Sequence, residues 1–421
     1  MSIQQMNDKI LNRAEIVETE IQPYAKAIER IALMNQRKVL SAFRKNKVSD
    51  FHLSGSTGYG YDDAGREVLE QLYADVFGAE ASLVRGQIIS GTHAIAITLF
   101  GILRPGDDLL YITGKPYDTL ESIVSGGDQD TGSLNDFNIG YRHVDLLEDG
   151  NVDFEEVERQ ISSKTKIIAI QRSRGYADRP SFTVSEISNM VKRIKANHPD
   201  IIIFTDNCYG EFVEELEPTN VGVDIMAGSL IKNPGGGLAR TGGYIAGRAD
   251  LIEKCSYRMT SPGLGAEAGA SLDTLREMYQ GFFLAPHTVS QAVKGAQFTA
   301  AMLESYGLVT SPHFSAVRTD LIQSVSFENA EQMIAFCQMI QASSPIDAHV
   351  SPVPSYMPGY ADDVIMAAGT FIQGSSIELT ADGPIRPPFT AYVQGGLTYE
   401  HVKVAILSSV EKLIELNLIK P

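Results

Sequence analysis

A lysine and an aspartate stand where two oppositely charged side chains could share one site. Lys232 ends the motif Ser229-Leu-Ile-Lys232, and Asp206 follows the apolar run Ile201-Ile-Ile-Phe204, which is typical of a buried strand. An unpaired buried charge is costly, so each needs a partner or a ligand. Pyridoxal 5'-phosphate meets this need, because Lys232 could form a Schiff base with its aldehyde and Asp206 could keep its pyridine nitrogen protonated.

A phosphate site is predicted at the start of a helix. Ser90-Gly-Thr-His93 precedes an apolar helical run at 94–103, so Gly91 and Thr92 would place backbone donors where phosphate binds readily. Ser229 offers a second hydroxyl. A simple helix cap by a hydroxyl of the motif is the everyday alternative. The helix start at Gly91 and the hydroxyl of Ser229 can bind one phosphate only if the fold brings them close together.

Tyr117 is the candidate for contact with a planar ring. It lies in Lys115-Pro-Tyr-Asp118, after a predicted strand at 109–112, and offers both an aromatic face and a phenol for proton transfer. A tyrosine in the core is the commoner use of such a residue. The prediction that Tyr117 contacts the cofactor therefore depends on Lys232 and Asp206.

Strand and helix patterns alternate around these residues. Apolar spacing predicts helices at 65–77, 94–103 and 185–196, and strands near Leu83 and at 109–112, 166–170, 201–205 and 243–246. Such alternation favours an α/β fold with a mainly parallel sheet covered by helices on both sides. We assign residues 51–284 to this large, cofactor-binding domain.

The two ends of the chain follow other patterns. Residues 1–50 are predicted to form a helical arm with a break at Pro23. Residues 285–421 are predicted to form a smaller α+β domain. Its predicted elements are a long helix at 289–306, helices at 330–343 and 399–416, strands at 322–325 and 371–379, and a loop at 351–362.

Composition excludes several classes of protein. The chain has 421 residues and a net charge of -17, which argues against a nucleic-acid partner. Its three cysteines are too widely spaced for a metal site and too few for a disulfide scaffold, so no metal is expected. The longest apolar run is too short to cross a bilayer. These observations indicate a cytoplasmic enzyme without membrane anchorage.

The order of these motifs resembles the fold-type I pyridoxal-phosphate enzymes. Within them the chain is most similar to the cystathionine and methionine lyase group, and especially to its branch of methionine gamma-lyase-like aluminium-resistance proteins. The motifs that correspond are Gly58-Tyr-Gly-Tyr-Asp-Asp-Ala-Gly-Arg-Glu67 and Lys232-Asn-Pro-Gly-Gly-Gly-Leu238. The resemblance extends from about Phe51 to the end of the chain.

The resemblance implies a role for each matching residue. Lys232 would be the Schiff-base lysine, Asp206 the pyridinium partner and Tyr117 the ring-stacking tyrosine. The phosphate would be held by Gly91, Thr92 and Ser229.

The resemblance also implies a homodimer or homotetramer with shared active sites. In the group, a tyrosine and an arginine of a neighbouring subunit reach the phosphate, and Tyr59 or Tyr61 with Arg66 are the matching candidates. The better-known lyases have Tyr-x-Arg where this chain has Tyr59-Gly-Tyr61. They also usually have a hydroxyl residue where Ile231 precedes the lysine.

Three arginines are candidates for binding the substrate. Arg386, in Pro384-Ile-Arg-Pro387, would grip the α-carboxylate through two hydrogen bonds, although an exposed arginine in a proline-rich loop has the same sequence pattern. Arg172 and Arg174, after the strand at 166–170, are the other candidates for a carboxylate or a phosphate.

The predicted function is a pyridoxal-phosphate-dependent carbon-sulfur lyase that acts on a sulfur amino acid by β or γ elimination. An aminotransferase or another fold-type I enzyme would use the same cofactor geometry, and a weakly catalytic pyridoxal-binding stress-response protein is a further alternative. A lyase turns over with one substrate, whereas an aminotransferase needs an amino acceptor.

Overall fold

One long helix joins the two ends of the molecule. The computed structural model describes residues 7–126, 131–357 and 362–421. Helix α1 (Asp8–Lys45) packs along helix α8 (Leu275–Glu304). Ile10 and Ile21 of α1 enter the core of the carboxyl-terminal region, while Val39 enters the core beside the large sheet. The helical arm therefore ties both regions together.

A seven-stranded sheet forms the large region. Its strand order is β1-β7-β6-β5-β4-β2-β3, and β6, β5, β4, β2 and β3 are parallel neighbours. Strand β7 runs antiparallel to both β1 and β6. The strands are β1 (Ala81–Arg85), β2 (Asp108–Tyr111), β3 (Gly140–His143), β4 (Thr165–Gln171), β5 (Ile202–Asp206), β6 (Ile225–Ser229) and β7 (Gly243–Gly247).

Helices cover both faces of this sheet. Ile203 packs on one face and Phe204 on the other, because successive strand side chains point to opposite sides and both sides are buried. The helices are α2 (Ala64–Phe77), α3 (Gly91–Ile102), α4 (Asp118–Val124), α5 (Phe154–Gln160), α6 (Val184–Asn197) and α7 (Ala249–Met259).

The carboxyl-terminal region is built on a five-stranded antiparallel sheet, ordered β10-β11-β12-β9-β8. The strands are β8 (Val309–Ser311), β9 (Gln323–Ser326), β10 (Val364–Ala367), β11 (Thr380–Pro384) and β12 (Thr390–Gln394). Helices α9 (Ala330–Ala342) and α10 (Tyr399–Glu415) pack against it.

Three predicted elements were wrong. Helix α1 is not broken at Pro23, which is exposed, so the carbonyl that loses its partner can bind water while the opposite face packs on α8. The predicted strand at 371–379 is irregular, because the carboxylate of Glu378 accepts the N–H groups of Phe371 and Ile372 at 2.8 and 2.9 Å. Helix α8 starts at Leu275, not at 289, and crosses the predicted domain boundary.

The predicted loop at 351–362 falls partly on residues 358–361, which lie outside the described residues. Its described part has no helix, and Ser355 forms an isolated bridge to Val364.

Candidate active site

A cavity opens at the carboxyl edge of the parallel strands. Gln171 ends β4, Asp206 ends β5 and Ser229 ends β6. Open α/β sheets bind their ligands at this edge. The cavity has a volume of about 170 Å³. Its walls are Ser90, Gly91, Thr92, Ile95, Tyr117, Thr119, Leu120, Gln171, Ser173, Gly175, Asp206, Cys208, Tyr209, Ser229, Ile231 and Lys232.

Lys232 and Asp206 line this same cavity, as the sequence prediction required. The loops that carry them are held together by Asn233, whose amide donates to the carbonyls of Tyr209 at 3.0 Å and Glu211 at 2.9 Å. Asn233 is fully buried. The segment after the lysine must also pass close to α8, since a Cβ on Gly236 would lie 2.2 Å from the carbonyl oxygen of Gly281.

The amine of Lys232 is held over an aromatic ring. Its Nζ lies 4.0 Å from the ring centroid of Tyr209, a cation–π contact. Burial disfavours the charged amine, but the Tyr209 ring and the Asp206 carboxylate favour it, and the pKa of Lys232 is raised above its ordinary value. Tyr209 itself has a φ of 73°, a strained value for a residue with a side chain.

Asp206 is a buried carboxylate with few neutralising partners. Burial raises its pKa, while Lys232, the Cys208 N–H and Arg179 lower it in part. The Cys208 N–H donates to Oδ1 at 3.1 Å. Burial also raises the pKa of the Cys208 thiol well above its usual range, which suits a small packing residue rather than a nucleophile. A cation bound beside Asp206 would stabilise its charge.

The predicted phosphate residues meet in space. Ser90 caps α3 by accepting the His93 N–H at 3.0 Å, so the capping alternative also holds. Gly91 packs closely against Cys208, which follows β5, and against Ser229, which ends β6. A Cβ on Gly91 would lie 3.1 Å from Cys208 Sγ and 3.3 Å from Ser229 Cβ. The start of α3 and the hydroxyl of Ser229 therefore face one end of the cavity, where an anion would find backbone and side-chain donors.

Tyr117 forms a side wall of the cavity. Its ring packs on Gly175, where a Cβ would lie 3.0 Å from a ring carbon, and its centroid is 6.0 Å from that of Tyr176. The ring is thus fixed between the cavity and a second tyrosine.

Tyr59, Tyr61 and Arg66 do not line the cavity of their own chain. The rings of Tyr59 and Tyr61 stack with centroids 5.5 Å apart, and both are exposed. Arg66 is buried and donates to the carbonyls of Gly60 at 2.6 Å and Gly269 at 2.9 Å. Arg66 is therefore corrected from a phosphate ligand to a residue that holds the loop carrying the two tyrosines.

Arg172 is removed from the substrate-binding candidates. Its guanidinium is fully buried outside the cavity and is paired with Glu214 at 2.8 Å and Glu217 at 3.5 Å. It also donates to Asn207 Oδ1 at 2.8 Å. The sequence could not show this, because the two carboxylates lie 42 and 45 positions away from Arg172 along the chain.

Arg174 and Arg386 line a second cavity beside the first. This second cavity has a volume of about 390 Å³ and shares Tyr117 and Gln171 with the first. Arg174 donates to Ser311 Oγ at 2.9 Å, and Arg386 pairs with Asp362 at 3.1 Å. Neither arginine is among the residues that line the cofactor cavity, so the binding of the α-carboxylate by Arg386 stays a prediction.

The sequence analysis did not single out Tyr209, Gln171 or Arg179, which line the two cavities. Gln171 and Tyr209 come one and four positions after predicted strands, which was the available signal, whereas Arg179 lies nine positions after one. Among the described residues, no helix is long and apolar enough to cross a membrane.

The chain is similar to a protein family, to known sequences and to solved structures, and the similarities agree with one another. Residues 10–414 match the methionine gamma-lyase family. The Bacillus subtilis protein YnbB is 66% identical over 404 residues, which cover 96% of each chain. A Listeria monocytogenes structure, assigned provisionally as a cystathionine beta-lyase involved in aluminium resistance, is 63% identical, covers 96% of this chain and 99% of its own, and has a TM-score of 0.95.

A more distant structure shows the fold. An O-acetylhomoserine (thiol)-lyase of Campylobacter jejuni, which carries pyridoxyl-lysine phosphate, is 18% identical with a TM-score of 0.55 over 81% of this chain and 85% of its own. The predicted resemblance and the fold-type I class are both confirmed. The predicted cofactor, pyridoxal 5'-phosphate, is confirmed with them.

The residues of the cavity fit this cofactor. An amine, a carboxylate and an anion-binding helix start line one space, and Tyr117 supplies an aromatic wall. Gln171 Oε1 is buried and accepts no hydrogen bond from the described residues, so a polar ligand could complete its bonding. Lys232 could bind the aldehyde of the cofactor and Asp206 its pyridine nitrogen. The end of the cavity that contains Gly91 and Ser229 could bind the phosphate.

Proposed function

Because the chain belongs to the methionine gamma-lyase family, we propose that it is a pyridoxal-phosphate-dependent carbon-sulfur lyase that acts on a sulfur amino acid. The observation that carries the proposal is that Lys232 and Asp206 line one cavity with the start of α3. The products would be a thiol, ammonia and a keto acid, with one water consumed in the hydrolysis that releases ammonia. The cystathionine beta-lyase assignment of the Listeria monocytogenes structure supports this reaction.

The cofactor supplies a protonated pyridine ring that withdraws electrons from the substrate Cα. In the proposal Asp206 keeps the proton on the pyridine nitrogen, since a buried carboxylate needs a cation beside it. Gly91, Thr92 and Ser229 hold the phosphate. Together these residues would hold the cofactor at the carboxyl edge of the sheet.

Proton transfer is assigned to Lys232 and Tyr117. Nζ of Lys232 removes the Cα proton, and Tyr209 orients this amine from 4.0 Å. Lys232 or the phenol of Tyr117 protonates the departing sulfur. A positioned general acid of this kind contributes about 10²- to 10⁴-fold in rate.

The proposal includes a second copy of the chain beside the active site. Exposed Tyr59, Tyr61 and Leu272 share one surface, since the N–H groups of Gly269 and Leu272 donate to the carbonyls of Tyr59 and Ser56. An exposed apolar surface of this kind suits a subunit interface. A homodimer or homotetramer would bring these tyrosines to a neighbouring cavity, and light scattering of the purified protein tests this.

Replacing Lys232 with Ala tests the proposed chemistry. We expect release of keto acid from cystathionine, methionine or cysteine to fall by about 10³-fold or more, because the residue both moves the proton and binds the cofactor. Borohydride reduction followed by peptide mass analysis should add the cofactor mass to the Lys232 peptide of the wild-type protein.

Lys254→Ala is the matched control, since Lys254 is exposed on α7. Its activity should remain within twofold of wild type. Unchanged keto-acid release by Lys232→Ala would contradict the assigned role.

A further inference from the structure

The second cavity is strongly basic in an acidic protein. Four cations line it, Lys115, Arg174, Arg179 and Arg386, against the single carboxylate of Asp145. The whole chain has a net charge of -17. A local excess of positive charge in such a chain attracts anions to this place.

Three of the four cations already have a carboxylate partner. Arg174 lies 3.4 Å from Asp178, Arg386 lies 3.1 Å from Asp362, and Lys115 lies 3.9 Å from Glu121. All three of these carboxylates are exposed, so water competes with each pair. The pairs can therefore rearrange at little cost when another anion enters.

Arg179 is different from the other three. Its guanidinium donates to the carbonyls of Pro180 at 2.9 Å, Gln171 at 3.1 Å and Ser173 at 2.5 Å. Among the described residues, no carboxylate oxygen lies within 4.0 Å of it. Burial and the nearby Arg174 lower its pKa to about 10, against the attraction of Asp320 and Asp206. Arg179 is thus charged at neutral pH and partly buried, and the side chain it contacts is the ring of Phe182, whose centroid lies 5.5 Å from the guanidinium carbon, rather than an anion.

The position of Arg179 links the two cavities. Its hydrogen bonds hold the backbone of Gln171 and Ser173, whose side chains line the cofactor cavity. Tyr117 and Gln171 belong to both cavities. A substrate that reacts in the first cavity could extend past Tyr117 and place its far end beside Arg179.

We propose that the second cavity is a subsite for a distal carboxylate, with Arg179 as its specificity-determining residue. This inference rests on the proposed lyase function and names its substrate class: sulfur amino acids whose thiol portion ends in an acid. Guanidinium and carboxylate form charge-assisted hydrogen bonds, and the uncompensated charge of Arg179 is the reason to assign the role to this residue.

A matched pair of substrates tests the subsite. S-(2-carboxyethyl)-L-cysteine and S-propyl-L-cysteine have the same length and differ only by a terminal carboxylate or methyl group. We expect wild-type kcat/KM to favour the acid by about 10- to 100-fold, the range of one charged hydrogen-bonded contact. The same pair built on homocysteine covers γ elimination.

Arg179→Gln should remove this preference. The ratio of kcat/KM for the acid to kcat/KM for the propyl compound should fall by about 10- to 100-fold, because only the acid loses a contact with the guanidinium. The hydrogen bonds from Arg179 to the backbone of Gln171 and Ser173 serve both substrates alike. Arg179→Lys, which keeps the charge but loses the fork, should give an intermediate loss. Arg240→Gln, at an exposed surface pair with Glu277, is the control and should match wild type.

The proposal would be overturned if Arg179→Gln and Arg179→Lys lost activity toward both substrates to the same extent. It would also be overturned if the wild-type enzyme showed no preference for the acid.

L-2-Aminopimelate and L-2-aminoheptanoate, which have no leaving group, separate the subsite from the reaction. If neither sulfur substrate reacts but calorimetry shows Arg179-dependent preference for aminopimelate, the lyase function fails and the subsite stands. Equal binding of the two compounds by wild type would overturn the subsite.

Discussion

Among the arginines that follow strand β4, Arg172 and Arg179 lie in regions of opposite character. Arg172 enters a buried network with Glu214, Glu217 and Asn207, where its charge is neutralised inside the protein. Arg179 lies at the basic cavity, where its guanidinium donates to backbone carbonyls and lies over the ring of Phe182. An arginine paired with carboxylates stabilises the fold, whereas a cation without such a pair can bind a ligand. The partners of an arginine, more than its position in the chain, therefore indicate its use.

The largest expected effect is a difference in stability between Arg172→Leu and Arg179→Leu. The first should lower the free energy of unfolding by about 3–5 kcal/mol, because it leaves Glu217 buried without its cation. The second should cost about 1–2 kcal/mol, since hydrogen bonds to neutral carbonyls are lost. Denaturant unfolding measures both.

Arg240→Leu, on the surface, should change stability by no more than about 1 kcal/mol. Equal losses for Arg172→Leu and Arg179→Leu would remove the distinction between the two regions.

The second prediction concerns Glu211, a carboxyl group of the core that forms no ion pair with any described residue. Burial and Glu217 raise its pKa to about 8, although Tyr244 donates to it at 2.8 Å. Between pH 5 and pH 8 the folded protein keeps a proton that the unfolded chain has released. The contribution to stability is complete below about pH 4.5 and is lost as pH rises to 8, by at most about 1.4 kcal/mol per pH unit.

Glu211→Gln should therefore flatten the dependence of stability on pH between 5 and 8, measured by thermal unfolding in matched buffers. Glu148→Gln, in an exposed loop, should keep the wild-type slope. A wild-type protein whose stability rises over this range, with the same slope in Glu211→Gln, would show that Glu211 is ionised in the fold.

The smallest effect is expected at Arg386. Arg386→Gln should reduce the preference for S-(2-carboxyethyl)-L-cysteine over S-propyl-L-cysteine by about two- to threefold, because Arg386 is exposed and already paired with Asp362. Steady-state kinetics with the two substrates measures it. A loss larger than that of Arg179→Gln would transfer the main role in the basic cavity to Arg386.

The large sheet was predictable from local sequence. Strands β4 and β5 are continuous apolar runs, because both faces are covered, and their lengths and positions were predicted within one or two residues. The residues 371–379 have apolar residues only at their two ends, with Gln373-Gly-Ser-Ser376 between them, and do not form a strand. There the side chain of Glu378 takes the backbone donors that a neighbouring strand would need.

The site was predictable in part. An amine, a carboxylate and a phosphate-binding helix start are together typical of a cofactor site, which made this part of the site predictable. The structure brings the residues concerned to one cavity: Lys232, Asp206, Gly91 and Ser229. The arginines were not predictable in the same way. Arg66, Arg172 and Arg179 look alike in sequence, and their roles depend on groups as far away as Gly269, 203 positions along the chain from Arg66.

The sequence by itself determined the kinds of chemistry available: an amine, a carboxylate and a helix start that bind one cofactor, placed after strands whose apolar pattern is local. Only the tertiary structure decided which charges are neutralised. Neutralisation depends on contacts within about 4 Å between segments far apart in the chain, and Coulomb attraction in a buried setting acts through that distance in space rather than through sequence spacing.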